Sequence, residues 1–282
     1  MYAHGVGELS PAIYRAGRGP QLVLLHGFTG TWAHWRPILA DLASGHEVIA
    51  PTVSGHFGAP AYPADKPMTM AGAADELERR LDEIGVQSAH FAGNSMGGGL
   101  ALEMAKRGRA LSVVAIAPGG GWEHGSPEPA RLARYFARVL RTARAGARYA
   151  PALMRSAVSR RVAMRDVMRR GDLVRPEEAV AMTIAAARCE VGEAVIAALA
   201  ADDGVAIGEL DRISCPVLLL TPSHDRILPP ALHAPRLRRE IPGVVSRTLP
   251  AGHVPMWDTP QLLARTIVDF VASNDASPVA AA

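Results

Sequence analysis

A short apolar strand ending at His90-Phe91-Ala92 runs into Gly93-Asn94-Ser95-Met96-Gly97-Gly98-Gly99, which passes straight into a mainly apolar helix carrying Leu100, Leu102, Met104 and Ala105. Glycines on both sides of the serine let two backbones pass at close range and let the chain turn sharply from strand to helix. Such a turn holds Ser95 in a strained conformation with its hydroxyl exposed at the strand's end. The helix, expected over about Met96 to Lys106, directs free amide N–H groups and the positive end of its dipole at the same place. A serine between glycines also occurs as a plain turn, so its meaning depends on what the rest of the chain supplies.

Similar strands recur at Gln21–Leu25, Glu47–Ala50, Ser112–Ala117, Val217–Leu220 and Val244–Leu249. Most are continuously apolar, as strands buried on both faces require. Helical patterns lie between them, at Trp35–Leu42 and at Met70–Ile84, where Leu77, Leu81 and Ile84 share one side. Alternation of this kind predicts an α/β fold: a parallel sheet with helices on both faces. Thr259-Pro260 reads as an N-cap and first helical residue of a last helix through Ile267 and Phe270. A disordered tail is expected from Asn274 on.

The alternation stops between Gly121 and Ala206, where only helical patterns follow one another. The chain therefore divides into a core at 1–121, an inserted helical lid at 122–205, the rest of the core at 206–273, and the tail at 274–282. In the insertion, Arg131, Arg134, Arg138, Arg141, Arg144 and Arg148 recur at helical spacing opposite Leu132, Phe136, Val139, Leu140 and Ala143. Arg155, Arg160, Arg161, Arg165, Arg169 and Arg170 make the lid basic throughout. A solvated helix face explains this, and a weak membrane-surface contact, or one with an acidic substrate group, is the sharper alternative.

The 282 residues suffice for one large domain with an insertion. No run approaches membrane-spanning length, and the first residues do not resemble a secretory signal, so a cytoplasmic protein is expected. Cys189 and Cys215 have neither metal-ligand nor redox spacing and read as buried free thiols. A net charge of +3 with 5% aromatic residues gives no argument for nucleic acid as a partner.

A serine hydroxyl needs a nearby base, itself oriented by a third group. Of ten histidines, His253 in Gly252-His253-Val254-Pro255 follows a strand directly and is the best base. His26 and His224 read as structural. Asp225 follows the strand Val217–Leu220 across a turn-rich link and precedes His253, in the chain order Ser, Asp, His. Glu123, Asp202, Asp203 and Asp258 are less apt. Leu25-His26-Gly27-Phe28-Thr29-Gly30 ends an early strand in a small-residue loop, so the backbone N–H groups of Phe28 and Met96 are the expected oxyanion donors. Removing one such donor costs roughly 3 kcal/mol of transition-state stabilisation. Trp32 and Trp35 read as packing residues.

Together, His26-Gly27-Phe28 with Trp35, Gly93-Asn94-Ser95-Met96-Gly97-Gly98, Cys215–Leu220 leading to Asp225, and Gly252-His253 resemble the α/β-hydrolase superfamily over about Gln21 to Phe270. The resemblance implies an eight-stranded, mostly parallel sheet with a cap after the sixth strand. Pro51–Gly58 stands where many members carry Asp-x-x-Gly-x-Gly. The family's haloalkane dehalogenases and epoxide hydrolases place an aspartate at the elbow, which Ser95 does not match. The expected chemistry is hydrolysis of a small-molecule carboxylic ester or related acyl compound, of carboxylesterase or lipase type, through an acyl-enzyme on Ser95 and without metal or organic cofactor. Two alternatives stand beside it. One is a carbon–carbon bond hydrolase of ring-fission-type diketones, whose elbow looks like Gly93–Gly98; the other is a non-catalytic ligand receptor on the same fold.

Overall fold

The computed structural model describes residues 12–275. Seven strands form one sheet: β1 (Ile13–Ala16), β2 (Gln21–Leu25), β3 (Glu47–Pro51), β4 (Ala89–Asn94), β5 (Ala110–Ile116), β6 (Val217–Pro222) and β7 (Val245–Leu249). Their order is β1-β3-β2-β4-β5-β6-β7, parallel throughout except for β1, which runs antiparallel on the outer side of β3. The count among the described residues is thus one fewer than the eight expected, and the helical segment follows the fifth strand of the seven rather than the sixth of eight.

Side chains alternate across a strand, so each central strand feeds two cores. Leu22, Leu24, Ala92, Val114, Ile116 and Leu220 enter one, with Trp32, Trp35 and the last helix. Val23, Leu25, Phe91, Val113, Ala115 and Leu219 enter the other, with the helices Met70–Glu83 and Met96–Lys106. This is why those strands read as unbroken apolar runs. Truncating one of these fully buried leucines to alanine costs about 2–5 kcal/mol.

The helix Met70–Glu83 begins where Thr69 Oγ1 accepts the Gly72 N–H at 3.0 Å and stops before Gly85, whose φ of +79° no side-chain-bearing residue adopts cheaply. The stretch expected as one helix over Trp35–Leu42 is a 3₁₀ turn at Trp32–Ile38 followed by a short α-helix at Leu39–Ala43. Pro37 has no N–H to give an α-helical ladder, which accounts for the break. The last helix spans Pro260–Asn274, so Asn274 belongs to it rather than to a tail; the rest of the expected tail, from Ala276, lies outside the described residues. Thr259 precedes that helix without capping it, because its Oγ1 is buried with no partner.

Between β5 and β6 the described chain holds helices alone, chiefly Glu128–Gly146, Pro176–Ala187 and Gly192–Ala201. The first packs against the other two. No helix among the described residues is long and apolar enough to cross a membrane.

Candidate active site

Ser95 sits between β4 and the helix Met96–Lys106 with φ 57° and ψ −122°. A side-chain-bearing residue occupies that region only under compulsion, and the two glycines show the source. A Cβ on Gly93 would lie 2.0 Å from the Gly97 carbonyl oxygen, and one on Gly97 would lie 2.1 Å from that of Leu25. Strand, helix and the neighbouring strand end are therefore packed backbone to backbone around the serine. Its N–H donates to Ile116 O at 2.9 Å, and its carbonyl accepts the N–H groups of Gly119 at 2.8 Å and Gly99 at 3.1 Å. The strained residue is pinned by three backbone hydrogen bonds.

His253 and Asp225 meet. His253 Nδ1 donates to Asp225 Oδ2 at 2.7 Å, and both side chains are buried. The other carboxylate oxygen accepts the N–H groups of Ile227 at 2.9 Å and Leu228 at 2.8 Å. Two backbone donors thus fix the carboxylate, the carboxylate fixes the imidazole tautomer, and Nε2 keeps its lone pair. Asn94 joins this pair to the serine turn: its Nδ2 donates to His253 O at 2.9 Å and to Ile116 O at 3.3 Å. Sequence reasoning assigned Asn94 nothing. The only signal for it was a buriable amide one residue before the serine.

Phe28, Ser95 and Met96 border one cavity of about 100 Å³. The N–H groups of Phe28 and Met96 have no acceptor among the described residues, and an oxyanion hole needs donors left free in this way. Phe28 lies in a tight turn closed by Gly30 N–H to Gly27 O at 3.0 Å, with Thr29 at φ +66°. A β-branched residue in that conformation is a second point of local strain. The remaining wall is chiefly apolar, with Met68, Met70, Trp122, Ile227 and Leu228 joined by Leu132, Phe136, Val195 and Leu199 from the helical segment, and Thr69 adds a hydroxyl. Among the described residues, no charged side chain lines it.

The other candidates have different partners. His26 Nδ1 donates to Gly27 O at 2.8 Å and Nε2 accepts the Val53 N–H at 2.9 Å, so it is neutral and structural; burial, then the nearby His56, hold its pKa well below the usual histidine value. His224 contacts Ser223 Oγ at 2.8 Å on the surface. Glu123 pairs with Arg239. Asp258 accepts three backbone N–H groups, from Gly252, Arg169 and Arg170, and so clamps the His253 loop to the helical segment. Trp32 and Trp35 pack in the core and do not reach the cavity. The Pro51–Gly58 stretch also stays out of the cavity wall, and His56 instead stacks edge-on behind Phe28 with ring centres 6.0 Å apart. Burial raises the thiols of Cys189 and Cys215 to about 12 and about 11, which leaves neither a nucleophile at neutral pH.

The family model described as the alpha/beta hydrolase family matches residues 22–266. Epoxide hydrolase EphH of Mycobacterium tuberculosis is 31% identical over 209 residues, which is 72% of this chain and 95% of that protein. The 2-hydroxymuconate semialdehyde hydrolase of a Pseudomonas species is 36% identical over 98 residues, 34% of each chain. Among solved structures, a thermophilic esterase from Thermogutta terrifontis superposes with a TM-score of 0.71 over 93% of both chains at 23% identity. The strained serine turn, the histidine–aspartate pair beside it and the matched family model agree: the chain belongs to the alpha/beta hydrolase family.

Proposed function

We propose that this hydrolase cleaves carboxylic esters with an apolar acyl or alcohol part, through an acyl-enzyme on Ser95. Ser95 Oγ attacks the ester carbonyl carbon while His253 Nε2 takes the hydroxyl proton and Asp225 stabilises the imidazolium. The Phe28 and Met96 N–H groups hold the oxyanion. Collapse of the tetrahedral species expels the alcohol, which leaves with the proton from His253. Water then attacks the acyl-serine, His253 takes its proton, and collapse returns that proton to Ser95 Oγ as the acid departs. Residues 122–205 act as the lid that closes the apolar space over the serine. Both cysteines are free, which suits the reducing cytoplasm.

The observation that carries this reading is the charge-free cavity beside Ser95. A neutral ester loses little on entering it. A ring-fission dienoate brings a carboxylate, whose burial without a partner costs several kcal/mol. The carbon–carbon hydrolase reading stands second because of the likeness to the semialdehyde hydrolase over 98 residues. Epoxide opening is less apt. Attack by a serine oxygen would leave an ether on the enzyme, which water does not cleave as it cleaves an ester.

A panel of p-nitrophenyl esters graded in acyl length, set against a 2-hydroxy-6-oxo-dienoate, separates the readings. Ester turnover that disappears in Ser95→Ala is expected. Faster cleavage of the dienoate than of every ester would make carbon–carbon hydrolysis the function, and tight binding of either class without turnover would make the protein a receptor.

A further inference from the structure

The helical segment carries a charge imbalance that the reaction does not use. Residues 131–175 contain thirteen arginines and two aspartates with no lysine or glutamate. That is a formal +11, so the remainder of a chain with net charge +3 is at −8. Arg144 pairs with Glu193 and Arg170 with Asp172, but Arg134, Arg138, Arg141, Arg155 and Arg161 have no carboxylate within ion-pair reach among the described residues.

Apolar exposure falls in the same place. Among the described residues, five of the eight large exposed hydrophobic side chains lie within residues 149–173: Tyr149, Leu153, Val158, Val162 and Leu173, with Val158 73% and Leu173 63% exposed. A helix turn puts Val158 and Val162 on one face of Ala157–Ala163. Arg160, counted from sequence with the basic surface, is instead buried as a clasp. Its guanidinium donates to Met154 O, Arg155 O and Asp172 O, tying three local turns into one unit. Ala150, Met154, Met164 and Met168 anchor that unit in the main core. It is also joined to the His253 loop, where Val254 N–H donates to Val167 O at 2.9 Å. The exposed valines and leucines are therefore held outward by a fixed platform.

We propose that the surface formed by residues 148–173 docks on an anionic lipid bilayer, with Leu153, Val158, Val162 and Leu173 entering the interface and Arg148, Arg155, Arg161 and Arg165 on the headgroups. Exposed apolar side chains interspersed along the chain with exposed arginines suit that boundary, since the guanidinium reaches phosphate while its stem stays among apolar atoms. A nucleic acid would use the charge but leave the valines in water. A second copy of this surface would set arginine against arginine. The proposal is independent of which bond Ser95 attacks.

Flotation of the full chain with vesicles tests it. Binding to vesicles containing phosphatidylglycerol, little binding to phosphatidylcholine alone, and loss of binding as salt shortens electrostatic reach are expected. Arg155→Gln and Arg161→Gln each weaken binding about five-fold. Val158→Ser and Val162→Ser each weaken it by up to about ten-fold. The thermal midpoints of all four variants stay at the parent value, because each side chain is exposed. No flotation, equal flotation with neutral vesicles, or no effect of the valine variants overturns the proposal. So does a dimer that the valine variants dissociate, or duplex DNA binding without flotation; both would show the surface to serve another partner. Ester turnover, assayed separately, reports on the reaction and not on docking.

Discussion

Asp225→Asn tests the division of labour within the proposed triad. The carboxylate uses Oδ1 for the Ile227 and Leu228 N–H groups and Oδ2 for His253 Nδ1. An asparagine must leave its oxygen on the two backbone donors, so its NH₂ faces His253 Nδ1. Two donors cannot face each other there. The imidazole then keeps its lone pair on Nδ1 and its proton on Nε2, the tautomer unable to accept from Ser95. Loss of the correct tautomer costs about three to four orders of magnitude in kcat, or about 5 kcal/mol of barrier. Folding loses little: the backbone hydrogen bonds persist with a neutral acceptor, for a cost of about 1–2 kcal/mol. Turnover of a short p-nitrophenyl ester, with a urea midpoint measured alongside, reads both numbers. A variant that folds normally and retains kcat within about ten-fold of the parent would refute the tautomer argument.

Two further outcomes follow from the geometry. Gly97→Ala places a methyl group 2.1 Å from the Leu25 carbonyl oxygen, where only backbone can give way; we expect destabilisation of more than about 3 kcal/mol, visible as insoluble expression or a strongly lowered urea midpoint, and a soluble variant with an unchanged midpoint contradicts the packing. Acid should also destabilise the fold: burial drives His56 to about 4 and holds His26 well below its usual value, so between pH 6.5 and 4 the unfolded chain binds more protons and stability falls as pH falls. By pH 5, His56 alone accounts for about 2 kcal/mol. Urea midpoints at pH 7 and pH 5 check this, and equal midpoints would contradict it.

How much of this was legible in the sequence depended on how local the cause was. The helix Met96–Lys106 and the apolar strands could be read because glycine spacing and unbroken apolar runs have few other uses. The meeting of Asp225 with His253 could be anticipated from chain order. β1 was invisible: four residues at the sheet's edge, half-exposed, carry no apolar run. Arg160 and Asn94 were missed for a different reason. Their roles are hydrogen bonds to carbonyls 5, 6 and 12 residues away for Arg160 and 22 and 159 residues away for Asn94, and nothing in local composition marks a polar side chain that the tertiary fold will bury. Charge counts placed Arg160 on a surface that it holds together from inside.

The proposed reaction passes through a covalent acyl group on Ser95. Mixing the protein with a slowly deacylating p-nitrophenyl ester, quenching in acid and mapping peptides by mass spectrometry reads it directly. An acyl mass increment confined to the peptide containing Ser95 and absent from Ser95→Ala is expected, with p-nitrophenol released in a burst equal to the enzyme present. Ester turnover with no increment, or an increment on another residue, would contradict it.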